Sequence, residues 1–194
     1  MKLKTSIIIL AGCFGIFLFI MLPIVLSIQD EKEDYVASIK GSDFSLNDVN
    51  NNLITEKSFQ GPATALFFGF THCPDICPMT LNKLSIILER LKKENKSLKV
   101  FFISIDPERD TPEVMRDYLS SFGDQFIGIT GEPEKIFALS KSWGIVKEKI
   151  FTEDGNYTLN HSSPIILLKD GKYVSTIRQQ DDIKRSLKKI KKFL

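Results

Sequence analysis

Two cysteines four residues apart and one distant histidine are the side chains of this sequence best suited to chemistry. Cys73 and Cys77 lie in Thr71-His72-Cys73-Pro74-Asp75-Ile76-Cys77-Pro78, and the chain of 194 residues holds 3 cysteines and 2 histidines. A pair this close is a disulfide, a redox couple or a metal site. The thiolate is both the nucleophile and the metal ligand, and as a soft donor it favours Cu(I). A closed structural zinc site normally takes four protein ligands, and the third cysteine, Cys13, lies in an apolar N-terminal run. The usual dithiol redox loop is C-x-x-C. The extra residue here still allows a disulfide and can also spread two thiolates around one ion.

His72 adjoins Cys73 directly, so its side chain is read as pointing elsewhere, in a structural or supporting role. His161 stands beside Ser162-Ser163-Pro164. One reading makes it a hydrogen-bonded structural residue. The other makes it a third ligand, giving two sulfurs and one nitrogen, a low-coordinate set suited to copper. A further cluster, Asp106-Pro107-Glu108-Arg109-Asp110, would orient a ligand or dock a partner, or else cap a helix and form a loop ion pair with Arg109.

The elements around these residues are legible from pattern. Ala63 to Phe70 is an apolar run of strand length, and Val100 to Ile105 is a second. Between them Leu81, Leu84, Ile87, Leu88 and Leu91 recur at helical spacing, with Pro78 at an early helix position. The Cys pair therefore sits at a strand-to-helix junction, where free N–H groups and the helix dipole lower a thiol pKa. Pro74 and Pro78 stiffen that turn. Thr111-Pro112 reads as N-cap and N1 of a second helix reaching about Phe122. A strand over Phe126–Thr130 and a helix from Pro133 to about Lys141 follow. Short strands are expected at Asp43–Leu46 and Asn52–Thr55, then at Ile145–Phe151, Tyr157–His161, Ser163–Leu168 and Lys172–Arg178, with a last basic helix over 181–193. Two buried strands joined by a helix imply a parallel crossover, and the closing hairpins imply antiparallel edges. The expected class is α/β: a thioredoxin-like mixed central sheet flanked by helices.

Ile7 to Ile28 carries no charged side chain and is long enough to cross a bilayer. Lys2 and Lys4 precede it, which argues that this end stays in the cytoplasm. Leu10-Ala11-Gly12-Cys13 looks like a lipobox, but mostly apolar residues continue well past Cys13. An uncleaved signal anchor is the favoured reading, with a cleaved signal peptide or a lipidated Cys13 as alternatives. The expected organisation is residues 1–6 in the cytoplasm, 7–28 as a single-pass transmembrane anchor in the inner membrane, 29–40 as a tether and 41–194 as the exported domain. That domain would face the periplasm or an equivalent oxidising compartment. Beyond the two N-terminal lysines the formal charges balance, and nothing in them suggests nucleic acid. The lysines of the last helix read as a solvated face.

Phe70-Thr-His-Cys-Pro-Asp-Ile-Cys-Pro-Met79, Ser104-Ile-Asp-Pro-Glu-Arg-Asp-Thr-Pro112 and Asn160-His-Ser162 together resemble the Sco/SenC family of membrane-anchored copper-binding proteins. The likeness covers about residues 41–180 plus the anchor, and three separated motifs in order make it specific. It implies a thioredoxin-like fold, copper as the bound metal and Cys73, Cys77 and His161 as its ligands. It also implies a role in building the binuclear copper centre of cytochrome c oxidase subunit II. Two classes of activity follow. In the first the chain is a copper chaperone and not an enzyme. In the second it is a thiol–disulfide oxidoreductase that reduces the target's cysteines, with Cys73 attacking and Cys77 resolving. A peroxidase is a weaker third.

Overall fold

The computed structural model describes Met21 and residues 43–194, apart from 154 and 163. The anchor over 7–28, the tether over 29–40 and Cys13 lie outside the described residues. Among the described residues no helix is long and apolar enough to cross a membrane.

Strands β1 (Ser45–Asp48) and β2 (Leu53–Thr55) form a hairpin, followed by a 3-10 turn, Glu56–Phe59. Then come β3 (Thr64–Gly69), helix α1 (Ile76–Lys93), β4 (Lys99–Ser104), α2 (Pro112–Ser120), β5 (Phe126–Thr130) and α3 (Pro133–Ser142). The chain closes with β6 (Lys147–Phe151), β7 (Tyr157–His161), β8 (Ile165–Lys169), β9 (Lys172–Ile177) and α4 (Ile183–Lys191).

Seven strands form one mixed sheet in the order β2-β1-β5-β4-β3-β8-β9. The centre, β3-β4-β5, is parallel, and β8 and β1 flank it antiparallel. The two central strands are apolar at nearly every position because both faces of the sheet are covered. Ala65, Phe67, Val100 and Phe102 pack with Leu81, Leu84, Ile87 and Leu91 of α1, Met115 and Leu119 of α2, and Leu187 and Ile190 of α4. On the other face Phe101 meets Phe59, which in turn meets Trp143 after α3, with ring centroids 4.9 and 6.3 Å apart. This is the expected mixed α/β sheet flanked by helices.

Local chemistry sets the helix ends. Thr111 caps α2, accepting a hydrogen bond from Val114 N, with Pro112 in the first turn, as the sequence implies. Helix α1 ends in a Schellman turn. Asn95 takes φ +55°, Lys96 N donates to Leu91 O and Asn95 N donates to Lys92 O. Helix α1 begins at Ile76, two residues before Pro78, so Cys77 lies inside the helix.

One expectation about the sheet needs correction. The sequence implies that both late hairpins form sheet edges. Only β8-β9 does so; β6 and β7 pair with each other as a separate two-stranded sheet. The outward residues explain the departure. Val146 and Phe151 are 78% and 73% exposed, so this apolar pattern is not a core strand. The first hairpin also lies later than expected, with β1 starting at Ser45 and its turn closed by Asp48, which accepts hydrogen bonds from Asn50 N and Asn52 N.

Candidate metal centre

Strand β3 delivers the chain to the site from within the core. Gly69 ends the strand, Phe70 is buried, and Cys73 N donates to Phe70 O to form the turn that leads into α1. Cys77, in the first turn of α1, is fully buried, whereas Cys73 is half-buried. Neither is in a disulfide. The Cys77 thiol donates a hydrogen bond to the Cys73 sulfur. That bond, with the N–H groups of Asp75, Cys77 and Ile76, draws the Cys73 pKa down to about 5 against the cost of burial. Cys77 is pushed far the other way, first by giving its proton to that bond and then by desolvation. The pair is thus one thiolate, accessible, and one thiol, sequestered.

The acidic loop after β4 meets the Cys turn at the same edge of the sheet, as the sequence order implies. The buried Asp110 carboxylate accepts from Thr71 Oγ1 (2.6 Å), Thr71 N (3.2 Å) and Ser104 Oγ (2.6 Å). Burial nevertheless pushes its carboxyl above the usual range. His72 stays outside the sulfur pair: its Nδ1 is 3.0 Å from Thr71 Oγ1 and 3.8 Å from Asp110.

His161 is the last residue of β7, and its ring packs edge-on to Phe70 with centroids 5.9 Å apart. Its Nδ1 lies 2.9 Å from Ser162 O. A carbonyl can only accept, so Nδ1 carries the proton and the lone pair is on Nε2. Desolvation lowers the ring's pKa, and the imidazole is a neutral donor at neutral pH. Cys73 is close enough to His161 to act on it electrostatically. The three residues do not form a closed cage, however. Among the described residues no group of three or more His, Cys, Asp or Glu side chains is arranged to hold a metal ion. The two sulfurs are in contact and the imidazole is at the same edge without having joined them. The donor set, a thiolate, a thiol able to lose its proton to a metal, and a neutral nitrogen, fits a soft ion.

The side chains that hold the strand of His161 lie outside the Cys-x-x-x-Cys motif, and their contact does not stand out in the sequence. Tyr157 Oη donates to Asp106 Oδ1 (2.8 Å), and the Arg109 guanidinium stacks 3.7 Å from the Tyr157 ring centroid. The loop ion pair expected at Arg109 is present, with Nε 2.6 Å from Asp106 Oδ2. The available signal was period-two spacing, which puts Tyr157, Leu159 and His161 on one face of a strand.

A family profile described as SCO1/SenC matches residues 32–194. The chain is similar to the SCO2-like protein of Rickettsia felis, with 39% identity over 137 residues, 69% of this chain and 67% of that one. It is similar to the structure of Bradyrhizobium japonicum ScoI with copper bound, with a TM-score of 0.73 and 39% identity, covering 79% of this chain and 99% of that one. It shares the fold of BsSco, with a TM-score of 0.62 and 22% identity over 79% of this chain and 92% of that one. BsSco is described as a member of the Sco family of cytochrome c oxidase assembly proteins, with a disulfide switch.

Proposed function

The chain belongs to the SCO1/SenC family, and from that premise we propose that it is a copper chaperone. It binds copper through Cys73, Cys77 and His161 and passes the ion to the binuclear copper centre of cytochrome c oxidase subunit II during assembly of the oxidase. The observation that carries this reading is the free Cys73-Cys77 pair, one half-buried and one buried, on a turn that leaves Phe70, the ring against which His161 packs. Two sulfurs and one nitrogen leave the ion low-coordinate, so an incoming ligand can displace them one at a time. Cys77 must lose its proton to bind, so loading releases protons and requires the reduced pair. Residues 7–28 anchor the chain in the inner membrane, with 1–6 in the cytoplasm, 29–40 as a tether and the folded domain in the periplasm or an equivalent compartment.

Titration of the reduced full-length chain with Cu(I), beside His161→Ala, tests the reading. Loss of tight stoichiometric binding in the variant is expected; undiminished binding overturns the assignment of His161.

A second reading, thiol–disulfide exchange, draws support from the unequal pair. The Cys73 thiolate attacks a target disulfide and releases one target thiolate. Cys77 then gives up its proton, attacks the mixed disulfide and frees the second, leaving Cys73–Cys77 oxidised and the target reduced. His161 is dispensable for that route, so His161→Ala separates the two.

A further inference from the structure

The β6-β7 hairpin carries His161, yet among the described residues no strand pairing joins it to the main sheet. Its placement comes from side chains, and they converge on the loop between β4 and α2. Tyr157 Oη donates to Asp106 Oδ1, and Arg109 Nη1 donates to Tyr157 O (2.9 Å) while its guanidinium lies on the Tyr157 ring. Arg109 Nε is bonded to Asp106, so carboxylate, guanidinium and phenol form a closed triangle. Beside it Lys149 pairs with Glu108 at 2.8 Å and lies 3.9 Å from the Tyr157 ring centroid. Lys147, the register partner of His161, donates to Ile105 O and covers the Phe137 ring.

The same loop grips the Cys turn from its other end. Ile105 N donates to Gly69 O (2.8 Å), and Asp110 holds Thr71. Arg109 is central to this bracket. Its guanidinium lies 6.0 Å from the Phe70 ring centroid, and Phe70 is the ring against which His161 packs. Tyr157 and His161 share one face of β7 about 13 Å apart, so a tilt at Tyr157 carries through to the imidazole.

We propose that Arg109 is a positioning residue: clasped to Asp106 and Tyr157, it sets the angle of the β6-β7 hairpin and so the approach of His161 to Cys73 and Cys77. This rests on the reading of His161 as a copper ligand. The role needs a planar guanidinium, which stacks and donates in two directions at once; a lysine ammonium cannot do both. The loop motif is thereby a brace between the two halves of a divided site.

The test uses the full-length chain as wild type, Arg109→Gln, and Tyr157→Phe, a milder change that keeps the ring. In the metal-free reduced protein, amide hydrogen exchange is expected to rise about tenfold or more across the β6-β7 ladder in Arg109→Gln while β3 and β4 stay protected. If Arg109→Gln loses protection throughout, Arg109→Lys, which keeps the charge and gives up the planar stack, supplies the comparison, and Tyr157→Phe reports the bond from the phenol to Asp106 alone. Cu(I) affinity, measured against a chelator, is expected to fall about tenfold in Arg109→Gln but less than about twofold when His161 is already alanine, because the two act through each other. Unchanged hairpin exchange overturns the proposal, and so does an equal loss of affinity in both backgrounds. If His161→Ala alone leaves copper binding intact, the ligand reading fails, and the metal-free exchange still decides whether Arg109 holds the hairpin.

Discussion

The Cys77 sulfur occupies the space where any side chain on Gly69 would go. A Cβ there would come within 2.8 Å of Cys77 Sγ and 2.8 Å of Phe102 Cε2. Both neighbours are fully buried, so neither can swing into solvent. Gly69→Ala is therefore expected to overpack the strand end, at a cost of about 1–3 kcal/mol, and to push Cys77 off its place beside Cys73. Urea denaturation measures the first effect and Cu(I) titration the second. A variant with wild-type stability and wild-type copper binding would show that the strand end yields.

The unequal cysteine pair predicts a pH profile for alkylation. Only the thiolate reacts, so Cys73 labelling by iodoacetamide should rise as pH climbs through about 5 and be complete well below the usual thiol range. Cys77 should stay unlabelled to high pH. Cys77→Ala removes the hydrogen bond that holds Cys73 down, so the Cys73 midpoint should move up. Peptide mapping of the label separates the two sulfurs. A single transition in the usual thiol range for both would contradict the bond between them.

Much of this arrangement is legible in the chain because it is local. The apolar runs of β3 and β4, the leucine spacing of α1 and the Thr111-Pro112 cap each declare themselves within a few residues. The junction position of Cys73 and Cys77 follows from them. The placement of His161 does not, since it depends on Arg109 meeting Tyr157, 48 positions apart, through a ring stack with no sequence signature. The separate β6-β7 sheet was hidden for a related reason. The pattern over Ile145–Phe151 marks a strand but not the sheet it joins, and the exposure of Ile150 and Phe151 is what sets it apart from the core. The division of protons between the two cysteines belongs to a contact across one helical turn and to burial, and spacing alone reports neither.

Asp110 and Thr71 predict a second pH effect, of opposite sign to that of an exposed ion pair. Burial raises the Asp110 pKa in the folded state. A raised folded value means that the contribution to stability is complete below the ordinary carboxylate pKa of about 3.9 and is lost as pH rises through the raised value. Asparagine mimics the protonated form. The stability of Asp110→Asn relative to wild type should therefore improve between pH 4 and pH 7. Asp110→Ala, which strips the acceptor from Thr71 and Ser104, should cost about 2–3 kcal/mol. Urea unfolding of both variants across that range is the measurement, and a pH-independent gap for the asparagine variant would refute the argument.

Asp181 docks the basic C-terminal helix and carries the reverse dependence. Its carboxylate takes Lys189 Nζ at 2.7 Å and Arg178 N at 2.9 Å, with Arg185 at 3.6 Å, while its carbonyl accepts from Lys83 of α1. These contacts, Lys189 foremost, draw its pKa down to about 2. A lowered folded value means stability that is present above the ordinary carboxylate pKa and is lost as pH falls towards 2. Asp181→Asn should cost about 1–2 kcal/mol at neutral pH, and the gap to wild type should close between about pH 4 and 2. Helix α4 inserts Leu187 and Ile190 into the core, so the loss should appear first as faster amide exchange in α4. Copper stoichiometry should be unchanged, because Asp181 touches neither the Cys turn nor the hairpin of His161. A drop in stoichiometry would mean that α4 supports the site through α1, whose first turn carries Cys77.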